Sequence, residues 1–213
     1  LGLWSWDSGT GQHPDERFMA LVASRLHTPS SLAEYLDSQR SPLNPRNVGY
    51  PFYVYGLLPQ TLVHYTAVAL TPNQALPRRV PQAGTSSYES APLVPNPDLQ
   101  VSKLTALHPL LNPGGEDLTA YFTVHRVGRA WSSLFAALSV VVVFLIGRRL
   151  YGARGGLLAA LLLALAVLPI QLAHFFTVDS ATAFFTLLSV YWAVRLSQRG
   201  GWLNATGLGL SIG

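Results

Sequence analysis

Three apolar runs follow one another in the second half of the chain, and the short links between them carry arginine. Residues 129–146 hold "AWSSLFAALSVVVVFLI", residues 155–172 hold "GGLLAALLLALAVLPIQL" and residues 180–194 hold "SATAFFTLLSVYWAV". Each is roughly 15 to 18 residues long before its flanks are counted, near the lower limit for a helix that crosses a bilayer. One such run also suits a buried helix of a soluble protein. Three in succession, joined by "GRRLYGARG" and "RLSQRGG", predict an all-α, polytopic helical membrane protein. A fourth run opens at Trp202. Only 11% of the residues are charged, against about 25% in soluble domains, as expected if lipid is part of the solvent.

The formal net charge of +4 is carried almost wholly by arginine, Lys103 being the only lysine. The arginines punctuate apolar runs instead of forming a patch, so nucleic acid is not an expected partner and the pattern reads as membrane topology. By the excess of positive charge on cytoplasmic loops, Arg148, Arg149, Arg154, Arg195 and Arg199 face the cytoplasm. Asp15, Glu16 and the turn "AHFFTVDS" (173–180) then face the other side. The chain begins at Leu1 without a methionine and stops within an apolar run, so we read it as a piece of a longer membrane protein. Residues 1–6 would be the end of a preceding transmembrane helix. Cysteine is absent, which leaves neither a disulfide framework nor a thiolate metal site.

Residues 7–126 form, on this reading, a long non-cytoplasmic loop carrying interfacial helices at about 13–27, 31–39 and 50–70, with an irregular stretch at 71–117. Pro14 suits a first helical position, and Phe18, Leu21, Val22 and Leu26 recur on one face. Ser31 and Glu34 have the spacing of a capping box. The run 50–70 is long and apolar, but if it spanned, all five arginines would move outside. Pro59, Gln60 and His64 also interrupt it, so a helix lying on the membrane face is expected. The transmembrane bundle occupies 127–213, with helices at about 127–149, 154–172, 179–197 and 202–213.

The residues that carry chemistry are few. In "QHPDERFM", Asp15 and Glu16 stand in the first turn of a helix, where acids gain about 0.3 to 1 kcal/mol from the macrodipole. Asp179 sits between two spans, where an ionisable side chain is a functional hypothesis by default, although Asp179 or Thr177 can also cap the helix that follows. His13 and His174 stand beside the two acidic sites. His13, Asp15, Glu16, His174 and Asp179 together offer hard oxygen and imidazole donors for a divalent metal ion, with Glu16, Asp179 and His13 the nearest candidates; no spacing specifies one. Arg126 and Arg129 open the first span. Either snorkels to headgroups, or its guanidinium binds phosphate or pairs with the acids. Tyr50, Tyr53 and Tyr55 either pack at an interface or stack on a sugar. No glycine loop follows a strand as nucleotide binding requires.

At these residues the chain resembles the membrane-embedded GT-C glycosyltransferases, and most closely the bacterial relatives of dolichyl-phosphate-mannose protein mannosyltransferases, family 39 in the glycosyltransferase classification. "HPDERFMALVA" resembles the acidic motif of their first external loop. An arginine-led span, a "GRRLYG" turn and a second-loop aspartate then recur in order. The likeness covers residues 13–70 and 126–213, and the long 71–117 stretch departs from the compact members. It implies inverting transfer of a sugar from a polyprenyl-phosphate donor to an acceptor hydroxyl on a protein, lipid or glycan, on the outer face of a bacterial plasma membrane. Asp15 matches the catalytic base, Asp179 the second-loop acid and Arg129 the arginine opening the span, with Glu16, Arg126 and His174 as further donor-binding candidates. The competing expectations are a non-catalytic scaffold or assembly subunit on the same fold, and an ion or solute transporter component. Proton relays place acids within spans, and these spans hold none between their ends.

Overall fold

The computed structural model describes residues 7, 13–72, 78–79, 93–94, 98 and 111–213. The expected span at residues 1–6 and most of the irregular stretch 71–117 lie outside the described residues. The elements are helices α1 (Pro14–Ala23), α2 (Leu32–Leu36), a 3-10 turn (Pro45–Val48) and α3 (Leu58–Leu70), then strands β1 (Arg78–Arg79) and β2 (Leu93–Val94). Helices α4 (Tyr121–Ala164), α5 (Val167–Leu172), α6 (Asp179–Arg199) and α7 (Trp202–Ile212) follow. The strands pair antiparallel, Arg78 opposite Val94 and Arg79 opposite Leu93. The rest is helix and connector. The chain divides into two compact units, Leu1–Arg129 and Ala130–Gly213.

In the first unit the apolar face of α1 builds the core. Val22 and Leu26 are buried with Leu43 and Tyr50, and Phe18, Leu21, Val48 and Tyr53 pack against them. Gln60 of α3 donates to the Met19 carbonyl at 3.1 Å, which ties α3 to α1. At the far end of α3, Thr71 donates to Ala67 O and accepts from the Leu118 amide at 3.0 Å. Asn112 bridges Leu70 O and Glu116 O. Buried amides and carbonyls need such partners, and these bring 112–119 onto α3.

Helix α1 ends at Ala23, short of the expected residue 27, and two further helices are shorter than the sequence suggests. The Ser31 side chain accepts from the Glu34 amide at 3.2 Å, but Glu34 reaches back to the Ser30 amide and hydroxyl, one residue upstream of the usual box. Those bonds hold the Glu34 carboxyl below its ordinary range, and the helix stops at Leu36. The run 50–70 is helical only from Leu58. Residues 52–55 alternate instead: Phe52 and Val54 are exposed while Tyr53 and Tyr55 turn inward, the period of extended chain. Gly56 turns the chain at φ +75°, a conformation that favours glycine. Pro59 is therefore no interruption. It lies in the first turn of α3, where its missing N–H costs nothing. At 13 residues, α3 is about 20 Å long, short of the roughly 30 Å hydrocarbon core.

In the second unit, α4 is broken at Gly152, with φ 77° and ψ 178°. Gly147 and Gly156, nine residues apart, would stand about 13 Å apart in a continuous helix. Instead a Cβ on Gly147 would meet Gly156 Cα at 2.8 Å, and one on Gly156 would meet Phe144 O at 2.7 Å. The chain reverses here, and glycine lets the two arms touch through backbone. The second arm breaks again after Ala164, because Pro169 has no N–H for the Leu165 carbonyl and its ring crowds that position. The expected helix at 154–172 is thus two pieces.

The two arginine-bearing links lie at one end of this unit. Arg149, in the first link, stands over the Tyr191 ring at 5.4 Å and donates to Gln198 at 3.4 Å, near the C-terminus of α6. Arg195 stands over Trp192 at 5.0 Å. Ser133 donates to the Ala173 carbonyl at 2.9 Å, on the side of the turn that leads to Asp179. With 21 residues, α6 puts about 30 Å between its ends, a hydrocarbon thickness. Among the described residues α4 is the one helix long and apolar enough to cross a membrane, and only 28% of its most apolar window is buried. A soluble core helix is mostly buried. Leu157, Leu158, Leu161, Leu162 and Leu165 instead point outward, as a lipid-facing surface does.

Candidate active site

The adjacent acids at the mouth of α1 do different things. His13 is the N-cap without a side-chain cap bond, Pro14 opens the helix, and Asp15 and Glu16 fill its first turn. Glu16 is buried and gives both oxygens to Arg129, which donates from Nε at 2.7 Å and Nη2 at 2.6 Å. Arg129 is itself fully buried. Its Nη1 and Nη2 also donate to Asp7 at 3.1 and 2.8 Å. One guanidinium thus clamps two buried carboxylates, each through two bonds. A buried charge needs that degree of satisfaction to be tolerated.

Asp15 faces the other way. It is half-buried, and one oxygen accepts from the Tyr55 hydroxyl at 3.2 Å. Phe18 lies at the centre of three tyrosines: edge-on to Tyr50 at 5.7 Å, stacked with Tyr53 at 6.2 Å, and tilted to Tyr55 at 5.8 Å. The Tyr53 hydroxyl points to Met19 Sδ at 3.5 Å. Burial pushes the Tyr53 hydroxyl above its ordinary range, the Tyr55 side chain adding to this and Gln60 opposing it. Tyr53 is therefore a packing residue that stays protonated, and Tyr55 is the one that touches the acid.

Of the other candidates, Arg126 pairs with Glu116 at the edge of the first unit. Asp179 and His174 belong to the second unit, where both line a mainly apolar cavity of about 460 Å³ with Ser139, Leu168 and Leu187. His174 Nδ1 lies 2.6 Å from the Ile170 carbonyl. Asp179 is exposed at the first residue of α6, whose N-cap is Val178 without a side-chain cap bond. Neither Asp179 nor Thr177 caps this helix. Among the described residues no group of three or more His, Asp or Glu is placed to hold a metal ion. Glu16, one of the proposed ligands, already has both oxygens on Arg129.

Two residues, Asp7 and His125, escaped the sequence, and a third, Tyr55, reads there only as a packing or sugar-stacking residue. Asp7 stands 122 positions from Arg129, and no local spacing links them. Tyr55 lies in a run that looked helical, where its direction was hidden. His125, one turn before Arg129 on the same helix face, is buried with no hydrogen-bond partner at Nε2 among the described residues. A second set joins the half-buried 27–28 junction to buried Asp98. The Thr28 amide donates to Asp98 at 2.6 Å, His27 Nδ1 lies at 3.4 Å, and Thr28 Oγ1 lies 3.1 Å from His64 Nε2. Burial opposes ionisation of Asp98, but the His27 and Thr28 bonds outweigh it and hold its carboxyl down at about 2.

Comparison with known families adds one finding. Residues 122–213 match the family model of dolichyl-phosphate-mannose-protein mannosyltransferase, so the resemblance holds over α4 to α7, Arg126 and Arg129 included. The match does not reach Asp7, Asp15 or Glu16. Among curated proteins and solved structures, none matches the chain. A glycosyltransferase of the GT-C type, set in a membrane, is the class these observations suggest.

Proposed function

We propose that the protein is an integral-membrane glycosyltransferase that moves a sugar from a polyprenyl-phosphate donor to an acceptor hydroxyl on the non-cytoplasmic face, with inversion, and that Asp15 is its general base. The observation that carries this reading is the division between the paired acids. Glu16 is consumed by Arg129, whereas Asp15 is half-exposed and held by a single tyrosine hydroxyl. Its place in the first turn also gains from the helix macrodipole, but unlike Glu16 it keeps a carboxylate face open to an acceptor.

The chemistry follows from the bonds exchanged. An acceptor hydroxyl is a poor nucleophile and needs a base within hydrogen-bond reach. Asp15 takes its proton as the acceptor oxygen bonds to the anomeric carbon, and the carbon–oxygen bond to phosphate breaks with its electron pair leaving on phosphate. Attack opposite the leaving group inverts the configuration. Tyr55 orients the Asp15 carboxylate. Arg129 acts here through structure: four of its N–H groups are on Asp7 and Glu16, so it fixes the helix mouth instead of meeting phosphate. Arg126, whose guanidinium lies at the edge on Glu116, is the cation carried forward for the leaving phosphate. Asp179 and His174, which line the apolar cavity of the second unit, are carried forward as donor-binding residues.

The test is the stereochemistry of the product. The purified full-length protein in proteoliposomes, given a polyprenyl-phosphate sugar of known anomeric configuration and a hydroxyl acceptor, should yield the opposite anomer by NMR. Retention of configuration would overturn the single-displacement mechanism and the role of Asp15 as base.

A further inference from the structure

Away from Asp15, the first unit carries a second concavity, of about 410 Å³, between the 3-10 turn and the turn before α3. Asn44, Arg46, Tyr53, Val54, Gly56 and Leu57 line it, and no carboxylate does. Arg46 is exposed, and no carboxylate lies within ion-pair distance of it among the described residues. Its backbone is fixed: the Arg46 amide donates to the Asn44 side chain at 3.2 Å, and Asn44 Nδ2 donates to the Ser38 carbonyl at 2.8 Å. The rim is apolar and turned outward. Val54 is 65% exposed, Leu57 49% and Phe52, two residues before Val54 on the same side, 81%. Beyond Ser38, α2 shows Leu32 and Leu36 to solvent as well.

Val54 and Leu57 line the concavity with the exposed guanidinium, Phe52 extends the apolar rim, and a clustered exposed apolar surface of this kind marks a contact with a partner. A free anion would satisfy Arg46 and leave Phe52, Val54 and Leu57 in water. An apolar protein face would satisfy those three and desolvate Arg46. A phospholipid supplies a phosphate for the fork of the guanidinium and a hydrocarbon edge for the apolar rim, in that order with depth. We propose that this concavity binds the phosphate of an anionic membrane phospholipid, with Phe52, Val54 and Leu57 seated in the leaflet around it. The 50–57 segment then fixes how the first unit rests on the bilayer. This goes beyond sugar transfer and does not depend on it.

The absence of cysteine from the chain makes a site-specific probe simple. A fluorophore on Val54→Cys, in nanodiscs of the full chain, is quenched by phospholipids brominated near the headgroup. Brominated phosphatidylglycerol should quench at about fivefold lower mole fraction than brominated phosphatidylcholine, the preference one basic side chain confers at an anionic surface. Arg46→Gln should bring the two lipids to parity while quenching persists through the apolar rim. Added inorganic phosphate should not displace the anionic lipid. Absence of quenching by both lipids would overturn the lipid contact. Equal quenching in the unaltered chain, or an unchanged preference in Arg46→Gln, would overturn the headgroup assignment. Displacement by inorganic phosphate would give the site to a soluble ligand.

Discussion

Removing the charge of Arg129 tests how the helix mouth is held. Among the described residues the buried cluster has one cation and two anions, and Arg129→Leu removes that cation and takes two N–H donors from each carboxylate. Keeping them buried without that cation carries the desolvation cost of two carboxylates. Opening of the cluster is the cheaper response, and breaking a buried pair in this way costs about 3 to 5 kcal/mol. Asp7→Asn or Glu16→Gln leaves a neutral one-to-one pair and loses part of two charge-assisted bonds, which costs about 2 kcal/mol. Hydrogen exchange of the α1 amides reads the difference. Arg129→Leu should speed exchange around Met19–Val22 by about 10³-fold and the single acid variants by about 10- to 50-fold. Replacing all three with apolar residues of similar volume, as in Asp7→Leu with Glu16→Met and Arg129→Met, should restore most of the protection. If Arg129→Leu changes exchange by less than tenfold, or the triple variant is no better than the single, the electrostatic account of this cluster is wrong.

Three further outcomes follow. Asp98 is held at about 2, below its ordinary 3.8, so its contribution is complete above about pH 4 and is lost as pH falls toward 2. Asp98→Asn should cost up to about 2 kcal/mol at neutral pH, seen as faster exchange of the Thr28 amide, and the gap from the unaltered chain should close between pH 4 and 2. Gly156→Ala places a methyl against Phe144 O and should cost about 1 to 3 kcal/mol in thermal unfolding, whereas Gly209→Ala meets nothing within 4 Å and should cost little. Tyr55→Phe removes one hydrogen bond to Asp15 without changing packing, and should lower kcat about 3- to 10-fold with KM unchanged.

What the sequence revealed was whatever its local period or chemistry encodes. The apolar face of α1, the Ser31 cap and the reversal after "GRRLYG" each rest on residues within a few positions of one another. The run 50–70 misled because its first eight residues are as apolar as the helix that follows them. Period two in Phe52–Tyr55 and the φ that Gly56 adopts are hidden inside it, and Pro59 serves equally as a breaker or as a helix start. The paired acids were legible as a pair, but their different fates were not. Only the fold brings Asp7 and Arg129 together, 122 positions apart, and that contact holds Glu16 in the same cluster while Asp15 stays outside it.

Asp15 is where the account is most exposed. Asp15→Asn keeps the size of the side chain and its place in the first turn of α1, but it does not accept a proton. In proteoliposomes the variant should bind the polyprenyl-phosphate sugar as the unaltered chain does and lose at least about 10²-fold in the rate of transfer. Normal donor binding with a near-normal transfer rate would contradict the account and leave Asp15 as no more than a helix-terminal charge.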